Sequence, residues 1–368
     1  MTSSSPPRRL LWVVNHKTLL PAEVPILRSL GWEVFVPKIV PDHDPGFRSA
    51  AITYEYDEAL DLPRTALQVL NNHDFYQRPW SPTVAGIVQE RFQAFITHFS
   101  YYVMPLSEAV RKFPGQIIAR AFGRESPETY THFAKLTGFP DLLSDLRAAG
   151  ERFVFGQGYD NLAEIEAPEI RDRARTITVP LPADFFTHRD QWRGGAPHAV
   201  FLCPAIAPGT FYGRIYDGIK RDFGDLPHVI FGRQTHEVLD PAVLPYLTDD
   251  ELTELYRTAP VFCYPHTEPR HIHYSPLEAV VVGTPTLYLR GALMDMLLGG
   301  ADLPAACADT AEMAAKARRL IAGDRALAEA IRATQGRVLD AFGADLARRQ
   351  WEAALPPSTA LPGAAAAA

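Results

Sequence analysis

The chain has 368 residues, 47% of them hydrophobic and 21% charged, a globular composition long enough for two domains of about 150 to 180 residues. A formal net charge of −7 argues against a general nucleic-acid or anionic-membrane binder. Three scattered cysteines (Cys203, Cys263 and Cys307) form no CxxC pair, which excludes a disulfide framework or zinc ribbon and points to a reducing compartment.

In chain order, residues 1–9 read as a polar, Ser/Pro-rich disordered tail. The short apolar run before Asn15 is too brief for a signal peptide or a membrane span. Leu10–Val14 reads as a buried strand, Glu23–Leu30 as a helix closed by Gly31, and Trp32–Val36 as a second strand; this βαβ opening implies a parallel sheet wound with helices. Val84–Phe99 reads as a helix, and Ile117–Ala119, Phe153–Phe155 and Ile177–Val179 as strands. The first domain therefore spans 10–179, and the aperiodic, Pro- and Gly-containing stretch 180–197 is the linker.

A second series follows over 198–335: strands Ala199–Cys203, His228–Phe231, Val261–Tyr264 and Thr286–Leu289, and helices Tyr212–Asp222, Asp249–Thr258 and Pro276–Val282. Thr248 and Glu251 form a capping box, and Leu252, Leu255, Tyr256 and Ala259 make one apolar face, so this helix reads as structural. Asp309 and Glu312 cap a later helix, a last helix lies around Val338–Trp351 within a C-terminal segment 336–355, and 356–368 is low-complexity.

The stretch Leu247–Gly291 is the richest in chemistry. A polar loop, His266 to Tyr274, runs from a buried strand into a helix opening Ser275-Pro276-Leu277-Glu278. A helix N-terminus at the carboxyl end of a strand is an anion site, and Arg270, His271 and His273 there suit a phosphate. Ser275 as N-cap with Glu278 reaching back is the structural reading of the same residues. His266, Glu268, His271 and His273 also invite a mononuclear metal reading, with Arg270 among the ligands against it. Gly283 reads as a left-handed helix end. Asn15, His16, Lys17 and Thr18 follow the first strand, and Arg120 to Glu125 follow another; both loops lie at strand ends, where such folds bind ligands, and Arg120 and Arg124 favour an anion. Asp42-His43-Asp44 formally matches the DxD metal motif of GT-A glycosyltransferases, a weak pattern. No Gly-rich dinucleotide fingerprint is present.

The Leu277-Glu278-Ala279 helix start followed by Gly283-Thr284-Pro285 resembles the donor-binding half of group-1 GT-B glycosyltransferases, over roughly 199–300. The resemblance implies an α/β GT-B fold of two Rossmann-like domains facing a central cleft, a nucleotide-sugar donor, and a glycan, glycolipid or other hydroxyl acceptor in surface polysaccharide assembly. It implies no cofactor and no bound metal, a cytoplasmic location with peripheral membrane association, and no nucleic-acid partner. It places the donor on Arg270, His271, His273, Tyr274, Ser275, Glu278 (on the ribose), Gly283 and Thr284, with Arg214, Lys220 and Arg233 as further phosphate or donor contacts. Acceptor contacts fall to Asn15, Lys17, Thr18, Arg120 and Arg124, and catalysis to His16, Glu125 and Glu268. Glu268 and Glu278 are ten apart, whereas the family's glutamates are eight apart, and Arg270 takes the family position. A sugar-nucleotide epimerase and a non-catalytic nucleotide-sugar-binding subunit are the competing readings.

Overall fold

The computed structural model describes residues 7–14, 16, 18–38, 60–99, 102–136 and 138–355. The chain forms two compact units, Met1–Pro180 with Gly343–Ala368, and Leu181–Phe342.

Unit 1 runs β1 (Arg8–Val13), α1 (Leu19–Ser29), β2 (Trp32–Phe35), α2 (Arg64–Asn71), α3 (Pro82–Arg91), β3 (Ala94–His98), α4 (Met104–Lys112), β4 (Gln116–Ala121), α5 (Tyr130–Leu136), α6 (Leu142–Ala149), β5 (Phe153–Gln157), α7 (Pro168–Arg171) and β6 (Ala174–Thr176). The strands are parallel in the order β2-β1-β3-β4-β5-β6. Every residue of Leu10–Val13, Phe95–Ile96 and Ile117–Ala119 is buried, as strands covered on both faces require.

Several boundaries depart from expectation. β1 begins at Arg8, inside the segment read as a tail. Arg9 is buried, donating from Nε to Glu33 at 2.6 Å and from Nη2 to the Asp61 carbonyl at 2.8 Å, so a charged residue joins the strand by finding partners. The helix read over Val84–Phe99 stops at Arg91, where Phe92 turns extended, and β3 takes 94–98. The run Phe95-Ile96-Thr97 suits either period, and pairing with β1 and β4 decides it. β6 lies at Ala174–Thr176, three residues before the strand expected at Ile177–Val179.

Unit 2 runs β7 (Ala199–Leu202), α8 (Phe211–Phe223), β8 (His228–Phe231), α9 (Asp249–Thr258), β9 (Phe262–Tyr264), α10 (Tyr274–Val282), β10 (Thr286–Leu289), α11 (Leu293–Leu297), β11 (Ala306–Cys307), α12 (Thr310–Ile321) and α13 (Arg325–Gln335). Its parallel sheet has the order β11-β10-β9-β7-β8. The Thr248–Glu251 capping box is complete, and Asp309 accepts from the Glu312 amide at 2.8 Å. Cys203, Cys263 and Cys307 are buried free thiols.

The stretch expected as a linker is built onto unit 2. The amides of Asp190 and Trp192 donate to the carbonyls of Val281 and Val282 at 3.0 and 2.9 Å, and Trp192 Nε1 donates to Ala259 at 2.7 Å. The chain then returns to unit 1 with α14 (Ala344–Ala354), whose Trp351 is fully buried, its ring centroid 6.4 Å from that of Trp12.

Candidate functional site

In unit 2 the chain leaves β7 to one side for β8 and to the other for β9, so the connections diverge above the carboxyl ends of β7 and β9. Open parallel sheets bind ligands in such a crevice. Two helices start there, α8 after β7 and α10 after β9.

Tyr264, the last residue of β9, supports the crevice. His266 stacks on it with centroids 4.4 Å apart, and His266 Nε2 lies 3.3 Å from the carbonyl of Leu202 at the end of β7. His273 is the N-cap residue of α10 and sits between two hydroxyls, with Nδ1 2.9 Å from Tyr264 Oη and Nε2 3.0 Å from Tyr212 Oη. The His273 amide donates to Tyr264 Oη at 3.3 Å, which leaves that hydroxyl's proton for Nδ1 and assigns the ring proton to Nε2. Burial, and then the nearby His271 and His266, hold His273 well below the usual histidine range, so the ring is neutral. Tyr212 occupies the second position of α8, so one imidazole ties the starts of both helices together.

The remaining expected donor residues separate into two groups. Arg270, His271 and Tyr274 lie half-buried on the loop or the first turn of α10. Glu268 is buried there, its carbonyl accepting from the Leu293 amide at 2.9 Å, which fastens the loop to α11. Ser275 is not the N-cap: α10 starts one residue earlier, Ser275 is buried in its first turn, and no side chain caps the helix. Glu278 does not reach back to Ser275. Its carboxylate accepts from Tyr256 Oη at 3.2 Å, so its frame is α9.

Gly283 ends α10 at φ +93°, and its carbonyl accepts from Arg332 Nε at 2.8 Å. Thr284 is fully buried and donates to the Tyr256 carbonyl at 2.7 Å, a packing role that corrects its expected donor contact. Lys220 is also corrected: it pairs with Asp240 at 3.0 Å and meets His228 at 3.3 Å, about 12 Å along α8 from Tyr212 by helix rise. Arg214 is exposed and donates to the Gly209 carbonyl at 3.2 Å.

Arg233 follows β8 and lines a cavity of about 580 Å³ with Gln234, His236, Leu244 and Tyr246, its guanidinium 5.8 Å from the Tyr246 ring. Gln234 accepts from the Ile206 amide at 2.9 Å and donates to the Cys203 carbonyl at 2.9 Å, joining the cavity wall to the loop after β7. Sequence reasoning missed Tyr212, Tyr264, Gln234 and Tyr246. The available signal was position for three of them: Tyr264 closes an apolar run, Gln234 follows β8 and Tyr212 opens α8, whereas Tyr246 lies in the long connection before α9.

In unit 1 the corresponding divergence lies between β1 and β3. His16 Nδ1 accepts from the amides of Thr18 and Leu19 at 3.2 and 3.3 Å, so the neutral ring carries its proton on Nε2, and the expected role as a base is corrected to that of a donor. Thr18 is buried, with no side-chain cap, at the head of α1. Asn15, Lys17 and the Asp42-His43-Asp44 motif lie outside the described residues.

Arg120 is not a wall of the crevice. It is fully buried, ion-paired with Glu23 and donating to the Gly156 carbonyl at 2.6 Å. Burial raises the Glu23 carboxyl, with Arg120 opposing. Arg124 pairs with Glu128 at 3.1 Å and lies 4.4 Å over Phe133; Glu125 is half-buried in the same loop. The residue missed here is His98, at the end of β3, stacked on Phe122 at 5.0 Å. Burial, then His16, Arg120 and Arg124, lower it to about 3.

No family model matches the sequence, and no curated protein matches it. Solved structures do match. A glycosyltransferase from Rickettsia africae superposes with TM-score 0.60 at 10% identity, covering 95% of this chain and 98% of the other. HepE of Anabaena, solved with UDP and glucose, gives TM-score 0.56 at 13% identity over 94% and 98%. The trehalose 6-phosphate synthase of Burkholderia multivorans gives 0.54 at 13% over 94% and 98%. The chain has the GT-B fold. Both units fall within the GT-B likeness, since each match covers more than nine-tenths of the chain. Among the described residues of this GT-B chain, no group of three or more His, Cys, Asp or Glu is placed to hold a metal ion, and no helix is long and apolar enough to cross a membrane.

Proposed function

We propose that the protein is a glycosyltransferase that takes a sugar from a nucleotide diphosphate donor bound in unit 2 and passes it to a hydroxyl acceptor. The observation that carries this reading is the meeting of two helix N-termini at one strand divergence, joined through Tyr212 and His273. Amides and dipole ends there favour a diphosphate. α10 has no side-chain cap to compete for its first amides. Arg270, on the entering loop, adds a fork suited to phosphate oxygens. Glu278, held by Tyr256, offers its other carboxylate lobes to ribose hydroxyls. The cavity at Arg233 and Tyr246 offers an aromatic face and fixed polar groups to a nucleobase.

In the transfer, the anomeric carbon's bond to the diphosphate breaks, the diphosphate leaves with the electron pair, and the acceptor oxygen bonds the carbon and passes its proton to an oxygen of the leaving diphosphate. Helix amides and Arg270 stabilise the leaving charge, so the reaction proceeds without a bound metal. The acceptor binds at the β1/β3 divergence of unit 1, where His16 donates through Nε2 and Arg124 adds charge. A glycan or glycolipid in surface polysaccharide assembly at the cytoplasmic face of a membrane suits this scheme.

Calorimetric titration with UDP and UDP-glucose, paired with Glu278→Gln, tests the site. The variant should lose about 1–3 kcal/mol of nucleotide affinity with its melting temperature preserved. Unchanged affinity with a lowered melting temperature makes Glu278 structural. Transfer or donor hydrolysis that vanishes in EDTA and returns with manganese overturns the metal-free scheme.

A further inference from the structure

We propose that Asp240 is a positioning residue of the donor site: clamped to α8, it holds residues 236–238 as one wall of the cavity at Arg233 and Tyr246, and through that wall sets which nucleobase is preferred. The inference rests on the donor reading above and adds what gives its base end a fixed shape. The cavity is lined by three runs of the connection between β8 and α9, residues 233–234, 236–238 and 243–246. The first is fastened to the loop after β7, where the Ala205 amide donates to the Arg233 carbonyl at 2.9 Å beside the two bonds of Gln234. The third is fastened to β8, the Ile230 amide donating to the Ala242 carbonyl at 2.7 Å and the Leu244 amide to the Ile230 carbonyl at 2.8 Å. The middle run, with His236 and Glu237 exposed, has neither support. Among the described residues, the hydrogen bond that ties it to the rest of unit 2 runs from the Asp240 amide to the Val238 carbonyl, at 2.9 Å.

Asp240 can serve as that post because its acceptors are all engaged. Oδ1 accepts from the Ala242 amide at 2.9 Å, Oδ2 from Tyr216 Oη at 2.7 Å and from Lys220 Nζ at 3.0 Å, and the carbonyl from the Val243 amide at 3.0 Å. Tyr216 and Lys220 stand one turn apart on α8, so a rigid helix face grips the carboxylate. Burial works against the charge on Asp240, but the Ala242 amide, Tyr216 and Lys220 outweigh it and bring the carboxyl down to about 2. Lys220, expected on the phosphates, thus acts at the base end. A wall ordered before the nucleotide arrives spares binding the entropy of ordering it, and a wall that cannot shift rejects a base of the wrong shape.

Calorimetry with UDP, ADP and GDP on the parent, Asp240→Asn and, as the milder change, Tyr216→Phe tests this. Asp240→Asn sets a neutral amide against Lys220, and Tyr216→Phe removes one hydroxyl. The parent should prefer one base. Asp240→Asn should bind that nucleotide about tenfold more weakly and narrow its lead over the other two, with Tyr216→Phe shifting both in the same direction by less. A parent that binds all three alike, variants that keep the parent's affinities, or a loss shared equally by all three nucleotides overturns the proposal, the last because general loosening weakens every base alike; each leaves the donor reading standing. Failure of all three nucleotides to bind the parent overturns both.

Discussion

His98 and Arg120 are paired across neighbouring strands of unit 1, one an imidazole kept uncharged, the other a guanidinium kept charged in a dry core. For His98, lowered to about 3, the unfolded chain binds the extra proton below its ordinary value near 6.5 while the folded chain stays neutral. Stability is therefore full above about pH 6.5 and falls as pH drops toward about 3, by up to about 1.4 kcal/mol per pH unit from this one group. Denaturant titrations from pH 7 to 4.5 should show His98→Gln less acid-sensitive than the parent; identical slopes would rule the effect out. For Arg120, Glu23→Gln leaves a buried charge without its counter-ion and should cost about 3–5 kcal/mol, whereas Glu23→Leu combined with Arg120→Met should recover most of that loss. Neither arrangement is legible in sequence. An arginine before Ala-Phe-Gly looks exposed, and its partner stands 97 positions earlier.

Helices and strands were more readable. α9 matches its expected bounds because its signals are local: a capping box at one end and an apolar i, i+3, i+4 face along it. Thr248→Ala should cost about 1 kcal/mol in chemical denaturation, the usual loss for an N-cap hydroxyl. The end of α10 was equally readable, and Gly283→Ala should cost about 1–2 kcal/mol or more, since φ is +93° and the new methyl meets Arg332 Nη2 at 3.1 Å. The start of α10 was not. Ser-Pro-Leu-Glu is a strong local start, yet the helix begins at Tyr274. His273 takes the cap position because Tyr264, at the end of β9, and Tyr212, 61 positions earlier, hold it there. The loop was therefore legible as a site, while the tyrosines that shape it were not.

At the scale of the whole chain, the alternation of strand and helix was enough to read two α/β sets, and the structure has two parallel sheets. What the alternation could not show is that the last helix belongs with the first strand. α14 returns to unit 1, where Thr178 donates from its amide to Gln350 at 2.8 Å and Arg120 lies 5.2 Å over the Trp351 ring. Trp351→Ala should cost about 3–5 kcal/mol, the range for emptying a buried indole. The loss should appear in the unfolding of unit 1, followed by hydrogen exchange in β1 and β4, with β7 and β9 unaffected. Equal loss of protection in both sheets would contradict that assignment.

That return of the chain sets an order of events on the ribosome. Unit 2 is one uninterrupted segment, Leu181–Phe342, and can close its core as soon as that segment has emerged. Unit 1 begins to emerge first and is completed last, because Trp12 and the Glu23–Arg120 pair wait for Trp351. For the time it takes to synthesise unit 2, the nascent chain carries an uncovered indole and a half-sheltered ion pair, the stretch in which a chaperone has the most to hold.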